Sequence, residues 1–110
     1  KTVVYATDTE HGNDRDAQLI EFSRGADVLI YDAMYTEDEY LGRNGSPKIG
    51  WGHSTWQHAV HIANAADAGT LVLFHHDPTR TDDGLDAMLK LVKKERKATV
   101  AAKEGLVIKL

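Results

Sequence analysis

Three short apolar runs, each followed by Thr, Asp or His, constrain the fold of this chain more than any other feature. They are residues 2–6 (TVVYA), 27–32 (DVLIYD) and 70–74 (TLVLF). Their shortness and their β-branched and aromatic residues predict buried β-strands. Because helix-type segments alternate with them, the pattern predicts an α/β fold with functional side chains at the carboxyl ends of the strands.

Helical segments are predicted from the spacing of apolar residues and from end signals, a capping Ser or Thr before the segment and a glycine after it. They lie at residues 15–24, 33–41 (a turn begun by Thr36), 54–68 (capped by Ser54 or Thr55) and about 85–97. The basic end of the last helix, residues 90–97, is interpreted as a solvated helix face.

Two further strand-like segments, residues 99–102 and 106–110, flank a turn-like Lys-Glu-Gly linker and predict a terminal hairpin. The predicted fold is therefore α/β, with strands alternating with helices and a terminal strand pair. A chain of 110 residues is long enough for a single domain with one hydrophobic core.

Composition narrows the functional classes. With 13 basic and 17 acidic residues the net charge is −4, which argues against nucleic-acid binding by bulk electrostatics and leaves open a local basic patch. The chain has no cysteine, so a metal would need His, Asp or Glu ligands. This fits a reducing compartment, and we expect a cytoplasmic location. No apolar run approaches the roughly 20 residues that cross a bilayer, so no membrane partner is expected.

Asp8, Asp32 and His75 lie at predicted strand ends, and His53 lies in a loop just before a predicted helix. In an α/β sheet these positions can converge on one crevice. Aspartate and histidine suit Zn²⁺, Mn²⁺ or non-haem iron. The alternative for each aspartate is an ordinary turn former or helix cap.

Other conspicuous residues have structural interpretations. The remaining histidines are interpreted as surface or satisfied core residues; they are His11, His58 and His61. Four large aromatic residues are interpreted as packing residues; they are Tyr5, Tyr31, Trp51 and Trp56. The loop of residues 42–52, with four glycines and one proline, is interpreted as a mobile substrate gate.

Four polar motifs follow one another within about residues 3–78. They are Thr7-Asp8-Thr9, Tyr31-Asp32-Ala33-Met34-Tyr35, Gly52-His53-Ser54-Thr55 and Leu73-Phe74-His75-His76-Asp77-Pro78. Together they resemble the C-terminal half of a metallo-β-lactamase-fold phosphodiesterase, of the tRNase Z and cyclic-nucleotide phosphodiesterase branches. The resemblance implies that residues 1–110 form half of an αββα sandwich and belong to a metal-dependent hydrolase.

The resemblance also implies roles for the site residues. Asp8 resembles the aspartate that bridges two metal ions, and His75 resembles a histidine ligand of the second ion, while the position of His76 is less constrained. Asp32 resembles the acid that orients the histidine of a His-Ser-Thr segment, here His53, although the family's glutamate is shortened to aspartate. His53 would then contact the scissile phosphate or protonate the leaving oxygen. The expected cofactors are two divalent ions, Zn²⁺ or Mn²⁺, with iron as a further option.

The family's His-x-His-x-Asp-His segment has no counterpart in these 110 residues. We therefore expect the N-terminal half of the same fold as a partner, either upstream in a longer protein or as a separate chain, and we expect the isolated chain to be inactive. A homo-oligomer is a further option.

The expected substrate is a small phosphodiester or nucleotide, such as a cyclic nucleotide, or an RNA-like molecule. The alternatives are another hydrolase on the same fold, such as a lactonase, thioesterase or arylsulfatase, and a non-catalytic binding module or diiron sensor. The implied pair of Asp32 and His53 favours phosphodiesters, because a leaving alkoxide benefits from a positioned imidazolium.

Overall fold

A single parallel sheet organises the chain. The computed structural model describes residues 1–110 except the side chain of Asn13, and within this part four strands pair in the order β1-β2-β3-β4, all parallel. The strands are β1 (Val3–Ala6), β2 (Val28–Asp32), β3 (Thr70–Phe74) and β4 (Thr99–Ala101). Because all strands run in the same direction, their carboxyl ends lie along one edge of the sheet.

The helices alternate with the strands, as predicted. They are α1 (Asn13–Ser23), α2 (Glu37–Leu41), α3 (Trp56–Ala65) and α4 (Asp82–Glu95). Thr36 caps α2 in a reciprocal capping box with Glu39, which confirms the predicted start. Of the two candidates for the cap of α3, Thr55 fills the role and accepts a hydrogen bond from the His58 amide. Across the described residues, no helix has the length and apolarity to span a bilayer.

One face of the sheet carries the hydrophobic core. The core cluster joins residues of the sheet, such as Val4 and Leu71, to residues of α3 and α4, such as Ile62 and Val92. Side chains alternate along a strand, so Val3 and Tyr5 point to the opposite face, where they are 50% and 63% exposed. The prediction that residues 2–6 form a buried strand is therefore wrong: β1 is an edge strand with only one covered face.

The predicted terminal strand pair is also wrong. β4 pairs in parallel with β3, and residues 106–110 form no strand. The chain turns at Gly105 (φ 81°), and the amide of Leu106 donates to the carbonyl of Lys103. A three-residue β4 offers a returning segment few hydrogen bonds, and Val107 is 79% exposed, so burial does not stabilise a hairpin there.

Candidate active site

The predicted site residues meet at the carboxyl edge of the sheet. Asp8 lies two residues beyond β1, Asp32 is the last residue of β2, and His75 directly follows β3. His53 reaches the same place from the loop before α3, and its ring stacks on that of His75 with centroids 4.4 Å apart. The structure thus brings together all four side chains.

The backbone is unusual at the two predicted metal ligands. Asp8 has φ 56° and His75 has φ 60°, in the left-handed region that non-glycine residues seldom adopt. A third such residue, Asp67 (φ 52°), follows the cap of α3, where left-handed residues are common. Non-glycine residues with a left-handed backbone cluster at functional sites. Asp8 and His75 lie just beyond strands and therefore do not cap a helix. Backbone geometry and sequence motif therefore single out the same two residues.

Asp32 fixes the imidazole of His53. Its carboxylate is fully buried and accepts hydrogen bonds from the amides of Thr9 (3.2 Å), Met34 (3.3 Å) and Ser54 (3.0 Å). The Nδ1 atom of His53 lies 2.9 Å from its Oδ2 atom. A carboxylate can only accept, so Nδ1 donates and Nε2 is left for another partner. Aspartate is thus long enough here to orient the histidine.

Ser54 is a structural residue. It is fully buried, and its Oγ donates to the carbonyl of Thr9 (2.8 Å). The hydroxyl of Tyr31 lies 3.2 Å from the same Oγ and therefore acts as the donor. Burial raises the pKa of Tyr31 to about 12, so this hydroxyl keeps its proton at neutral pH. These bonds join the loop after β1 to the loop that carries His53.

The residues present fit a divalent metal. Asp8, His53 and His75 each offer a ligand atom, and these atoms all lie within 4.8 Å of one another. The Nδ1 atom of His75 is buried and has no hydrogen-bond partner among the described residues, a cost that a ligand would remove. The carboxylate of Asp8 and the imidazole of His75 are ligands suited to zinc, manganese or iron.

The other histidines contact protein groups. Nε2 of His76 donates to the carbonyl of Ala102 (3.2 Å) and so joins the end of β3 to the end of β4. His58 stacks on His11 with centroids 4.1 Å apart, and its Nε2 lies 2.9 Å from Oδ2 of Asp16 in α1. Burial lowers the pKa of His11, His58 and His76, which favours the neutral rings. These contacts support the structural interpretation of His11 and His58.

Glu10 is a site residue that the sequence did not indicate. Its carboxylate accepts hydrogen bonds from the hydroxyl of Tyr40 (2.6 Å) and from the amides of Gly50 (2.7 Å) and Gly52 (3.0 Å). Burial raises the pKa of Glu10, but these hydrogen bonds outweigh it and lower the pKa overall. Burial and the bond to Glu10 in turn raise the pKa of Tyr40 to about 12. Glu10 thereby holds the loop of residues 42–52 beside His53.

Replacing Glu10 by glutamine should loosen this loop. Gly50 and Gly52 donate to different oxygens of the carboxylate, and the NH₂ group of glutamine cannot accept, so one of the two amides loses its acceptor. A bond to a charged group contributes about 1.5–3 kcal/mol. We therefore expect hydrogen exchange, followed by NMR, to accelerate about tenfold or more at one of these two amides. Tyr40→Phe is the matched control, since it removes one bond and leaves both amides paired. Unchanged exchange in Glu10→Gln would show that other contacts hold the loop.

The chain matches a known family over most of its length. The family model described as "Beta-lactamase superfamily domain" matches residues 1–76. Ribonuclease Z of Thermoplasma acidophilum is 33% identical over 105 residues, which are 94% of this chain and 30% of that protein. Ribonuclease Z of Pyrococcus furiosus is 37% identical over 76 residues, which are 69% of this chain and 21% of that protein.

A solved structure agrees with these matches. The metallo-β-lactamase fold protein YhfI from Bacillus subtilis resembles this chain with a TM-score of 0.70 and 28% identity, covering 94% of this chain and 38% of that one. The chain spans 30% or less of the two ribonuclease Z relatives and matches only part of each. The predicted alternation of strands and helices is confirmed as part of this fold. The family model, the relatives and the solved structure together show that the chain belongs to the β-lactamase superfamily, with the metallo-β-lactamase fold.

Proposed function

We propose that this chain is part of a metal-dependent hydrolase that cleaves phosphodiester bonds in a cyclic-nucleotide or RNA-like substrate. The observation that carries the proposal is the arrangement of His53, oriented by the buried Asp32, beside Asp8 and His75. The relatives named Ribonuclease Z support a phosphodiester of the RNA type.

Asp8 and His75 are the proposed metal ligands and would hold divalent ions, zinc or manganese. Divalent ions held there would supply Lewis-acid stabilisation for the negative charge that develops on a phosphate during cleavage. The side chain of Asp8 is 73% exposed, so its carboxylate is open to further groups. The assignment of His75 is supported because neither of its ring nitrogens bonds a described protein group, whereas Nε2 of His76 donates to the carbonyl of Ala102.

His53 is the proposed general acid. Its Nδ1–H is held by Asp32, so a proton on Nε2 can pass to the leaving oxygen or bond a phosphate oxygen. The carboxylate of Asp32, which three backbone amides hold in place, fixes the orientation of the His53 ring through Nδ1. The chain itself thus supplies both the proton donor and the group that orients it.

We further propose that the N-terminal half of the same fold completes the site. Two bound ions need more ligands than Asp8 and His75 provide. The sheet face opposite the helices also has room for a partner, because Tyr5 and Val3 remain exposed there and Tyr5 packs only edge-on against Phe74, with centroids 5.6 Å apart. A second sheet packed on this face would bury these side chains.

The proposal is tested by hydrolysis of bis-p-nitrophenyl phosphate by the full-length protein. We expect turnover with Mn²⁺ or Zn²⁺, loss of turnover after chelation and recovery when metal is returned. Cleavage of lactones or thioesters without cleavage of the phosphodiester would overturn the assignment. The 110-residue chain assayed alone is expected to be inactive, and robust turnover that His75→Ala abolishes would refute the need for the partner half.

A further inference from the structure

Of the four aromatic residues interpreted as packing residues, two are buried and two are exposed. Tyr31 and Trp56 are buried, whereas Tyr5 is 63% exposed and Trp51 is 61% exposed. The interpretation of Trp51 as a packing residue is therefore wrong. Trp51 precedes His53 by two residues, so their Cα atoms lie within about 7.6 Å, the reach of two trans peptide units. The backbone that carries this exposed indole thus lies close to the backbone of the proposed general acid.

The backbone around Trp51 is held in place. Its two neighbours, Gly50 and Gly52, both donate their amides to Glu10, and its own amide donates to the carbonyl of Lys48 (3.1 Å). Both glycines have a left-handed backbone, with φ 86° and 88°, which a side chain there would strain. The indole is therefore carried by a fixed backbone. Because this backbone is already ordered, the loop loses less conformational entropy when an aromatic ligand binds.

A cation lies against the same ring. The Nζ atom of Lys48 is 4.3 Å from the centroid of the Trp51 ring, a cation–π contact. Because Nζ lies over one face of the ring, a base would stack on the opposite face, and the ammonium would supply positive charge for the phosphate at the edge of the ring. The charge also opposes the net charge of −4 of the chain, which would otherwise repel a phosphate.

We propose that Trp51 is a stacking platform for a nucleobase of the substrate and that Lys48 contacts the phosphate next to that base. This rests on the proposed phosphodiesterase function and names the residues of this chain that would recognise the base of its substrate. Trp51 is a binding residue here, and Glu10 positions it.

The test compares two phosphodiesters with the same leaving group in the full-length protein, thymidine 5′-(p-nitrophenyl phosphate) and methyl p-nitrophenyl phosphate. Loss of one base–aromatic stack is expected to lower the ratio of their kcat/KM values about 5- to 150-fold in Trp51→Ala. Trp51→Phe should restore most of the ratio. Phe22→Ala is the control, since Phe22 is 76% exposed on α1 and should leave the ratio unchanged. An unchanged ratio in Trp51→Ala overturns the proposal.

A binding measurement separates this proposal from the proposed function. If neither ester is hydrolysed, the proposed function fails, and quenching of tryptophan fluorescence then decides the stacking. A nucleoside monophosphate should quench the fluorescence and ribose 5-phosphate should not, because only the former carries a base. Equal quenching by the two ligands, or no quenching by either, would overturn the proposal, and the exposed Trp51 would then be a candidate for contact with another protein segment. Quenching by a short oligoribonucleotide at a lower concentration than by the mononucleotide would support stacking and would indicate that the stacked base belongs to an RNA substrate.

Discussion

Replacing His53 by alanine is expected to lower the kcat for phosphodiester hydrolysis about 10²- to 10⁴-fold, the range for loss of a positioned general acid. The reason lies in the geometry: Nδ1 of His53 is held 2.9 Å from Oδ2 of Asp32, which leaves Nε2 to face the leaving group. The loss should be largest for a substrate with an alkoxide leaving group, such as a dinucleotide, because an alkoxide is a poor leaving group without a proton. The measurement is kcat for a dinucleotide and for a p-nitrophenyl ester.

Two further variants sharpen this experiment. Asp32→Asn should also lower kcat. The two carboxylate oxygens of Asp32 now accept from three backbone amides and from Nδ1 of His53, whereas asparagine has only one acceptor oxygen. His61→Ala, an exposed histidine on α3, is the matched control and should retain full activity. Equal losses on the two leaving groups would mean that His53 binds the phosphate and does not protonate the leaving oxygen.

The parts of the site that could be predicted are those that depend on local sequence and sheet direction. Asp8, Asp32 and His75 each follow an apolar run, and parallel strands necessarily bring their carboxyl ends to one edge. The cap of α2 could be predicted for the same reason, because Thr36 and Glu39 are only three residues apart. Local patterns therefore predicted the fold class and the place where the site residues meet.

The parts that could not be predicted depend on distant contacts. Glu10 bonds groups 30 to 42 residues away, and nothing in its own neighbourhood indicates them. The exposure of Tyr5 and Trp51 depends on which faces other elements cover, which strand and loop patterns do not reveal. The error at residues 106–110 has the same origin, because strand-like alternation forms a strand only where a neighbour offers hydrogen bonds.

The shortened acid shows how a local departure from a family motif can be compatible with the same role. Asp32 lacks one methylene relative to the family's glutamate, yet it is the last residue of β2 and its carboxylate reaches Nδ1 of His53. The amides of Met34 and Ser54 bond its other oxygen, so the carboxylate lies between the sheet edge and the loop of His53. The contact between Asp32 and His53 therefore depends on the position of the loop as well as on the length of the acid.

Removal of a metal ligand has the other large expected effect. His75→Ala in the full-length protein should lower the bound metal by at least one ion per chain and reduce hydrolysis about 10³-fold or more, since Lewis-acid stabilisation contributes several kcal/mol to the rate. Asp8→Ala should act in the same direction and lower the content of both ions, because the resemblance to the family implies that Asp8 bridges them. Metal content by atomic emission and kcat on bis-p-nitrophenyl phosphate provide the two measurements.

The neighbouring histidine supplies the control for this experiment. His76→Ala removes the bond to the carbonyl of Ala102, so it should lower the thermal stability while the metal content stays at the wild-type level. His75 differs from His76 because neither of its ring nitrogens bonds a described protein group. It directly follows β3 and has a left-handed backbone. Full metal content in His75→Ala would show that His75 is not a metal ligand. Loss of metal in His76→Ala would indicate that His76 is the ligand instead.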